Sequence, residues 1–336
     1  MTDTVPGSRP APDPGAPRVP VTHVPLSTRE LPELDPKLPP WRGETERVGG
    51  VSLHVRRTPG AQDETVLYVH GLGGSSTNWT DLAALLAPTA GGVAIDLPGF
   101  GFSEPERAFD FSLDAHAEVV AKFITGLGVG PVHLIGNSMG GAVSLLVAAR
   151  HPDLVKTLTL ISPAMPDRRP DPRRLSDPLM ALAYLPFIGR RARRKLAAYT
   201  AHERAKMVIK LCFADPDSFP EHRMAELVEE HSARAELAWA NLAMSRSTFG
   251  IFRTWFARGA ASLWRVVPNV TVPTLVVWGT EDKVISVRRA ARTAKLLPRG
   301  RLLVLPRTGH VAQMERPIVV AKAVLGMWEE VAAGSW

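Results

Sequence analysis

The chain has one cysteine, three tyrosines and ten histidines in 336 residues. Its apolar runs all fall short of the ~18–20 residues a membrane span needs. One thiol excludes an internal disulfide and a cysteine-built zinc site. Cys212 lies in Ile209-Lys210-Leu211-Cys212-Phe213, an apolar stretch that reads as packing, not as a nucleophile. The N-terminus has no apolar h-region, so no signal peptide is expected and the reading is a cytoplasmic protein. No two histidines stand at H-x-x-x-H spacing, so no metal or other cofactor is expected.

What is present is 45% hydrophobic content, enough for one large α/β domain with an insertion or for two small domains. Net charge is +7 and uneven. Asp167 to Lys195 holds nine Arg or Lys against three Asp. No nucleic-acid-binding module accompanies this cluster, so no nucleic-acid partner is expected.

Residues 1–40 carry 11 of the 30 prolines and almost no apolar periodicity. This composition predicts a disordered arm. Order begins near Trp41. A hairpin across Gly49-Gly50, short apolar strands at 65–70, 92–96, 132–136 and 155–162, and helices between them predict a mostly parallel, doubly wound sheet. The alternation stops at Pro163, continues as helical patterns to about Gly250, and resumes with a strand at Val272–Trp278. The expected organisation is therefore a first core part at 41–162, a helical cap at 163–250 and a second core part at 251–336.

Gly136-Asn137-Ser138-Met139-Gly140 follows the apolar run Val132-His133-Leu134-Ile135 and precedes a helical pattern. That is the strand–turn–helix setting of a G-x-S-x-G elbow. The glycines suit it because a nearby Cβ would crowd a strained turn. A neutral serine hydroxyl needs a base, and the base needs an anion to hold its tautomer. Candidates follow in chain order. Asp282 lies in Gly279-Thr280-Glu281-Asp282 and His310 in Thr308-Gly309-His310, each after a predicted strand. Chemistry in open α/β sheets gathers at that edge. Glu281 is adjacent to Asp282, and Asp96 also ends a strand, where it reads as the anchor of its own loop. An oxyanion is best met by backbone N–H groups, and Met139, just after Ser138, offers one at a helix N-terminus.

Five matches in order, each at a strand end, resemble the cap-bearing branch of the α/β-hydrolase fold family. They are His70-Gly71-Leu72-Gly73-Gly74, Asp96-Leu97-Pro98-Gly99-Phe100-Gly101-Phe102-Ser103, the serine elbow, Trp278-Gly279-Thr280-Glu281-Asp282 and Gly309-His310. The resemblance covers about Trp41 to the end. It implies Ser138 as nucleophile, Asp282 as acid, His310 as base and Leu72 N–H as second oxyanion donor. A serine at the elbow also sets the chain apart from the epoxide hydrolases and haloalkane dehalogenases of this fold, which attack with Asp.

The expected function is hydrolysis of a lipophilic, acylglycerol-like carboxylic ester through an acyl-enzyme on Ser138. One alternative is a carbon–carbon bond hydrolase of ring-cleavage dienoates. Gly136-Asn137-Ser138-Met139-Gly140-Gly141 and Gly309-His310-Val311-Ala312-Gln313-Met314-Glu315 resemble that group. The missing Gly-Pro-Gly run after His70, and Val311 where that group tends to carry Trp, depart from it. A non-catalytic binding protein on the same fold is a third reading, against which all three candidate side chains are kept. In the cap, apolar Leu179–Ile188 runs into Arg190, Arg191, Arg193, Arg194 and Lys195. This reads as cap packing with solvated arginines, as a peripheral contact with an anionic membrane, or as one arginine meeting a substrate carboxylate. Trp239, Phe249, Phe252, Trp255 and Phe256 are expected to pack the cap and its hinge, with contact to an acyl chain as the alternative for some of them.

Overall fold

The computed structural model describes residues 21–35, 37–61, 63–168 and 198–336. The basic run Arg190–Lys195 and the apolar segment before it lie outside the described residues.

The chain enters the sheet as a hairpin, β1 (Gly43–Val48) and β2 (Val51–Thr58). Gly49 and Gly50 turn it at φ of +59° and +81°, which the right-handed twist of the two strands requires and only glycine adopts without cost. Then come β3 (Thr65–Val69), α1 (Thr80–Leu86), β4 (Gly91–Ile95), α2 (Leu113–Leu127), β5 (Val132–Asn137), α3 (Met139–Arg150) and β6 (Val155–Ile161). Ser112 caps α2 by accepting from Ala115 N–H at 3.1 Å. Helices α4 (Ala201–Cys212), α5 (Glu221–Ala235) and α6 (Ala240–Phe256) follow, and β7 (Thr274–Gly279), α7 (Ala290–Leu296), β8 (Gly300–Leu305) and α8 (Pro317–Ala332) complete the core.

The eight strands lie in the order β1-β2-β4-β3-β5-β6-β7-β8, with β2 antiparallel to both its neighbours, β1 and β4, and every other pair parallel. The fold is thus the expected doubly wound one. Alternation along each strand feeds two cores. In β3, Leu67 and Val69 face the cluster shared with α2 and α3, while Val66 and Tyr68 face the one shared with α1 and α8. From β3 the chain crosses to β4 on one side and later to β5 on the other, so a crevice opens at the carboxyl ends of β3 and β5.

Two boundaries differ from the sequence reading. The expectation of a disordered arm through residue 40 fails for 21–35. Val21 C=O accepts from Leu302 N–H at 2.7 Å, Ser27 N–H donates to Lys322 C=O at 2.9 Å, and Arg29 pairs with Glu329. Val24, Leu31 and Leu34 pack on the α8 side of the core. An extended segment needs no helical or strand period to bury scattered side chains, so its composition hid the docking. The expected division at 250/251 falls within one element. Gly250 lies inside α6, where a Cβ would sit 3.2 Å from Phe111 O. It is a close-packing glycine.

Two core histidines are held neutral. His133 lies stacked on Trp328 with ring centroids 4.0 Å apart, and burial, with Lys156 adding, pushes it down to about 3. His116 packs against Phe109, and burial, with His70 adding, pushes it down to about 3 as well. Its two ring nitrogens have no partner among the described residues. The unfolded chain protonates these groups near pH 6.5, the folded chain only near 3. Stability present above about pH 6.5 is therefore lost as pH falls, at up to about 1.4 kcal/mol per pH unit for each group. Melting temperature is expected to fall on acidification from neutral pH, and less steeply in His116→Leu. Parallel curves for the two proteins would contradict this.

Candidate active site

Ser138 sits between the end of β5 and the first residue of α3, with φ +55° and ψ −117°. A side-chain-bearing residue in that region costs on the order of 1–3 kcal/mol and is held by its surroundings. Here Ser138 N–H donates to Ile161 O at 3.0 Å, and Ser138 O accepts from Ala164 N–H at 2.8 Å and Ala142 N–H at 3.1 Å. The flanking glycines are explained by close approach. A Cβ on Gly136 would run into Gly140 O and Ser144 Oγ, and one on Gly140 into the carbonyl oxygens of Val69 and His70.

Asp282 and His310 are brought into direct contact. His310 Nδ1 and Asp282 Oδ2 are 2.9 Å apart, with both residues buried. The other carboxylate oxygen, Oδ1, accepts from Val284 N–H at 2.8 Å and Ile285 N–H at 2.9 Å. Trp278 Nε1 donates to Ile285 O and ties that loop to β7. A carboxylate on Nδ1 fixes the proton there and leaves the Nε2 lone pair as a base. Neighbouring Glu281 is exposed and engages Thr308 O only through its backbone N–H. Asp96 anchors its loop as read from sequence, its carboxylate accepting from Ser76 N–H at 2.6 Å and Phe102 N–H at 2.9 Å.

Ser138 and His310 are joined through Asn137, a residue sequence reasoning passed over. Its amide donates to Ile161 O and His310 O, each at 3.1 Å. No Ser138 Oγ–His310 hydrogen bond occurs among the described residues; such contacts are often long before substrate binds. Glu315 was missed too. It accepts from Gly309 N–H at 2.6 Å and from Ala214 N–H at 2.9 Å. His310 N–H donates to Cys212 O at 2.7 Å, so the histidine loop is fastened to the end of helix α4. Burial raises the Glu315 carboxyl above its ordinary value against these N–H groups. The Cys212 thiol is pushed up to about 12 by burial, with Asp282 and Glu315 adding, which leaves no thiolate near neutral pH.

Gly71-Leu72-Gly73-Gly74 forms a turn closed by Gly74 N–H to Gly71 O at 3.1 Å, with Gly73 at φ +75°. His70 Nε2 accepts from Leu97 N–H at 3.0 Å, so its proton is on Nδ1, which donates to Gly71 O at 2.7 Å. Burial, opposed in part by Asp96, lowers its pKa and keeps it neutral. The peptide unit is planar and trans, so fixing Gly71 C=O turns Leu72 N–H the opposite way, outside the turn's own hydrogen bond. Met139 N–H, at the start of α3, has no intrahelical acceptor. Helix α5 reaches this turn as well. Arg234 Nη1 donates to Gly73 O at 3.1 Å and pairs with Glu230 at 3.0 Å. Glu230 in turn accepts from Thr77 Oγ1 at 2.8 Å. Burial would raise the Glu230 carboxyl, but Arg234 and the hydroxyls hold it below its ordinary value. Among the described residues, no three His, Cys, Asp or Glu are gathered to hold a metal ion.

A family profile described as alpha/beta hydrolase fold matches residues 64–317. The dihydrolipoyllysine-residue acetyltransferase component of an acetoin cleaving system from Cupriavidus necator is 29% identical over 80% of this chain, which spans 64% of that protein's length. Monoacylglycerol lipase abhd6-B of Xenopus laevis is 27% identical over 80% of this chain and 76% of its own. Among solved structures, a membrane phospholipase A superposes with a TM-score of 0.69 at 26% identity, over 87% of this chain and 86% of that one. A meta-cleavage product hydrolase from Pseudomonas fluorescens IP01 superposes with a TM-score of 0.67 over 86% of this chain and 98% of that one. At 19% identity it shares the fold alone.

Proposed function

The chain belongs to the α/β hydrolase fold family, and on that premise we propose that it is a serine hydrolase of lipophilic, acylglycerol-like carboxylic esters. The observation that carries the reading is the Asp282–His310 pair, tied through Asn137 to the strained Ser138 turn. Similarity to a monoacylglycerol lipase and to a phospholipase A supports the ester class.

In the proposed mechanism Ser138 Oγ attacks the ester carbonyl carbon as His310 Nε2 takes its proton. Asp282 stabilises the imidazolium. The carbonyl oxygen gains negative charge and is met by Leu72 N–H and Met139 N–H, each contributing about 2.7–4 kcal/mol in comparable sites. The tetrahedral species expels the alcohol, which receives the proton from His310. Water, deprotonated by His310, then attacks the acyl carbon and releases the acid and Ser138.

A panel of p-nitrophenyl esters of increasing acyl length, run beside a ring-cleavage dienoate, tests the class. Turnover of the esters is expected to rise with chain length. Dienoate cleavage without ester turnover would replace this reading with the carbon–carbon one.

Within the reading, Arg234 is a positioning residue. It fixes the Gly73 carbonyl while His70 fixes that of Gly71. Arg234→Gln is expected to lower kcat by up to about a hundredfold, the lower end of the loss when one oxyanion donor is removed outright, with KM within a few-fold. Arg234→Lys should recover part of the loss, since one of the two bonds to Gly73 and Glu230 can re-form. Unchanged kcat in Arg234→Gln would assign the pair to cap stability alone.

A further inference from the structure

Helix α6 carries an outward stripe that neither the core nor the proposed chemistry uses. Leu242, Phe249 and Phe256 are 48%, 66% and 64% exposed. They stand seven residues apart, so they stack along one line of the helix over about 21 Å. Arg246 and Arg253, both exposed, fall within about 80° of that line. Arg168 lies 5.5 Å from the Phe256 ring, and exposed Arg258 follows the helix end. No Asp or Glu occurs between Ala240 and Phe256. The opposite face, with Ala243, Ser247, Gly250, Ile251 and Trp255, is buried, which fixes the helix rigidly with its aromatic edge outward.

We propose that this stripe seats the protein on an anionic lipid surface. Apolar side chains flanked along the helix by arginines, with Asp110 facing Arg253 as the nearby acid, match an acyl boundary beneath negative head groups. A protein partner fits less well. Two Phe and one Leu at these exposures offer on the order of 350 Å², against roughly 800 Å² per side in a stable interface. No helix among the described residues is long and apolar enough to cross a membrane. The inner face of the same helix touches the oxyanion turn, since a Cβ on Gly73 would lie 2.8 Å from Met244 Cε. If the ester reading holds, a lipid ester would leave the bilayer next to Leu72 N–H. The docking itself stands on exposure and charge and needs no turnover.

The test is co-sedimentation of the full chain with sucrose-loaded vesicles of phosphatidylcholine, alone and mixed with phosphatidylserine. Binding is expected only with the mixed vesicles. It should weaken about tenfold or more in Leu242→Ser/Phe249→Ser/Phe256→Ser and again in Arg246→Gln/Arg253→Gln, with circular dichroism and melting unchanged. No sedimentation of the parent with mixed vesicles, or equal sedimentation of parent and variants, would overturn the proposal. So would a dimer in solution that the triple variant dissolves without any change in lipid binding, because the stripe would then belong to a second copy. Vesicle binding without esterase activity would sink the ester reading and leave the docking in place.

Discussion

Ser138→Ala is expected to lower kcat by about 10⁴–10⁶-fold on any ester the protein turns over, the scale of losing a serine nucleophile from a coupled set. The loss is large because no neighbour can replace Oγ. The Cys212 thiol stays protonated near neutral pH. His310 can then only activate water, while the backbone N–H groups at Leu72 and Met139 keep a small residual rate. Folding is a separate question that the same variant answers. Alanine also carries a Cβ, so the strain at φ +55° persists, and the bonds to Ile161, Ala164 and Ala142 are all made by the backbone. Melting should therefore move little. Steady-state rates and a thermal melt on one preparation check both parts, and a rate loss below about tenfold would make Ser138 an ordinary turn residue.

Asp282→Asn is expected to cost about 10⁴-fold in kcat, through the tautomer of His310 rather than through its position. Oδ1 accepts two backbone N–H bonds, from Val284 and Ile285. An amide in the same place must keep its oxygen there, because its NH₂ cannot accept. The NH₂ then falls on His310 Nδ1, where Oδ2 stood at 2.9 Å. Nδ1 is forced to accept, the ring proton moves to Nε2, and the base is lost with the geometry intact. Asp282→Ala should lose the rate and also loosen the 282–285 turn, visible as a lower melting temperature. An Asn variant within tenfold of the parent would mean that Asp282 serves the loop and not the histidine.

The parts of the site legible in the sequence are those written locally. The elbow could be read because Gly136, Ser138 and Gly140 meet within one turn, where strain and close approach act between near neighbours. The positions of Asp282 and His310 followed from strand ends, since a parallel sheet gathers every such end on one edge. Residues that act across the fold left no local mark. Asn137 reaches His310 across the edge of the sheet, while Glu315 reaches Ala214 and Arg234 reaches Gly73 only because the helices between β6 and β7 pack onto that edge. Composition misled in two places. Residues 21–35, within the proline-rich stretch 1–40, lie along β8 and α8 because scattered apolar side chains and a few backbone bonds suffice to hold an extended segment. Phe249 and Phe256 read as cap packing beside Phe252 and Trp255. Helix α6 sorts them by phase, with the second pair inward in an edge-to-face contact at 5.5 Å and the first pair outward.

The measurement that reaches the central claim most directly is covalent trapping. The purified chain is treated with a fluorophosphonate, and the adduct is located by peptide mass spectrometry. One phosphonyl group on the peptide carrying Ser138 is expected, absent in Ser138→Ala, slowed in Asp282→Asn, and competed by the ester that turns over fastest. A parent protein that takes no label, or one whose label persists in Ser138→Ala, would contradict the account.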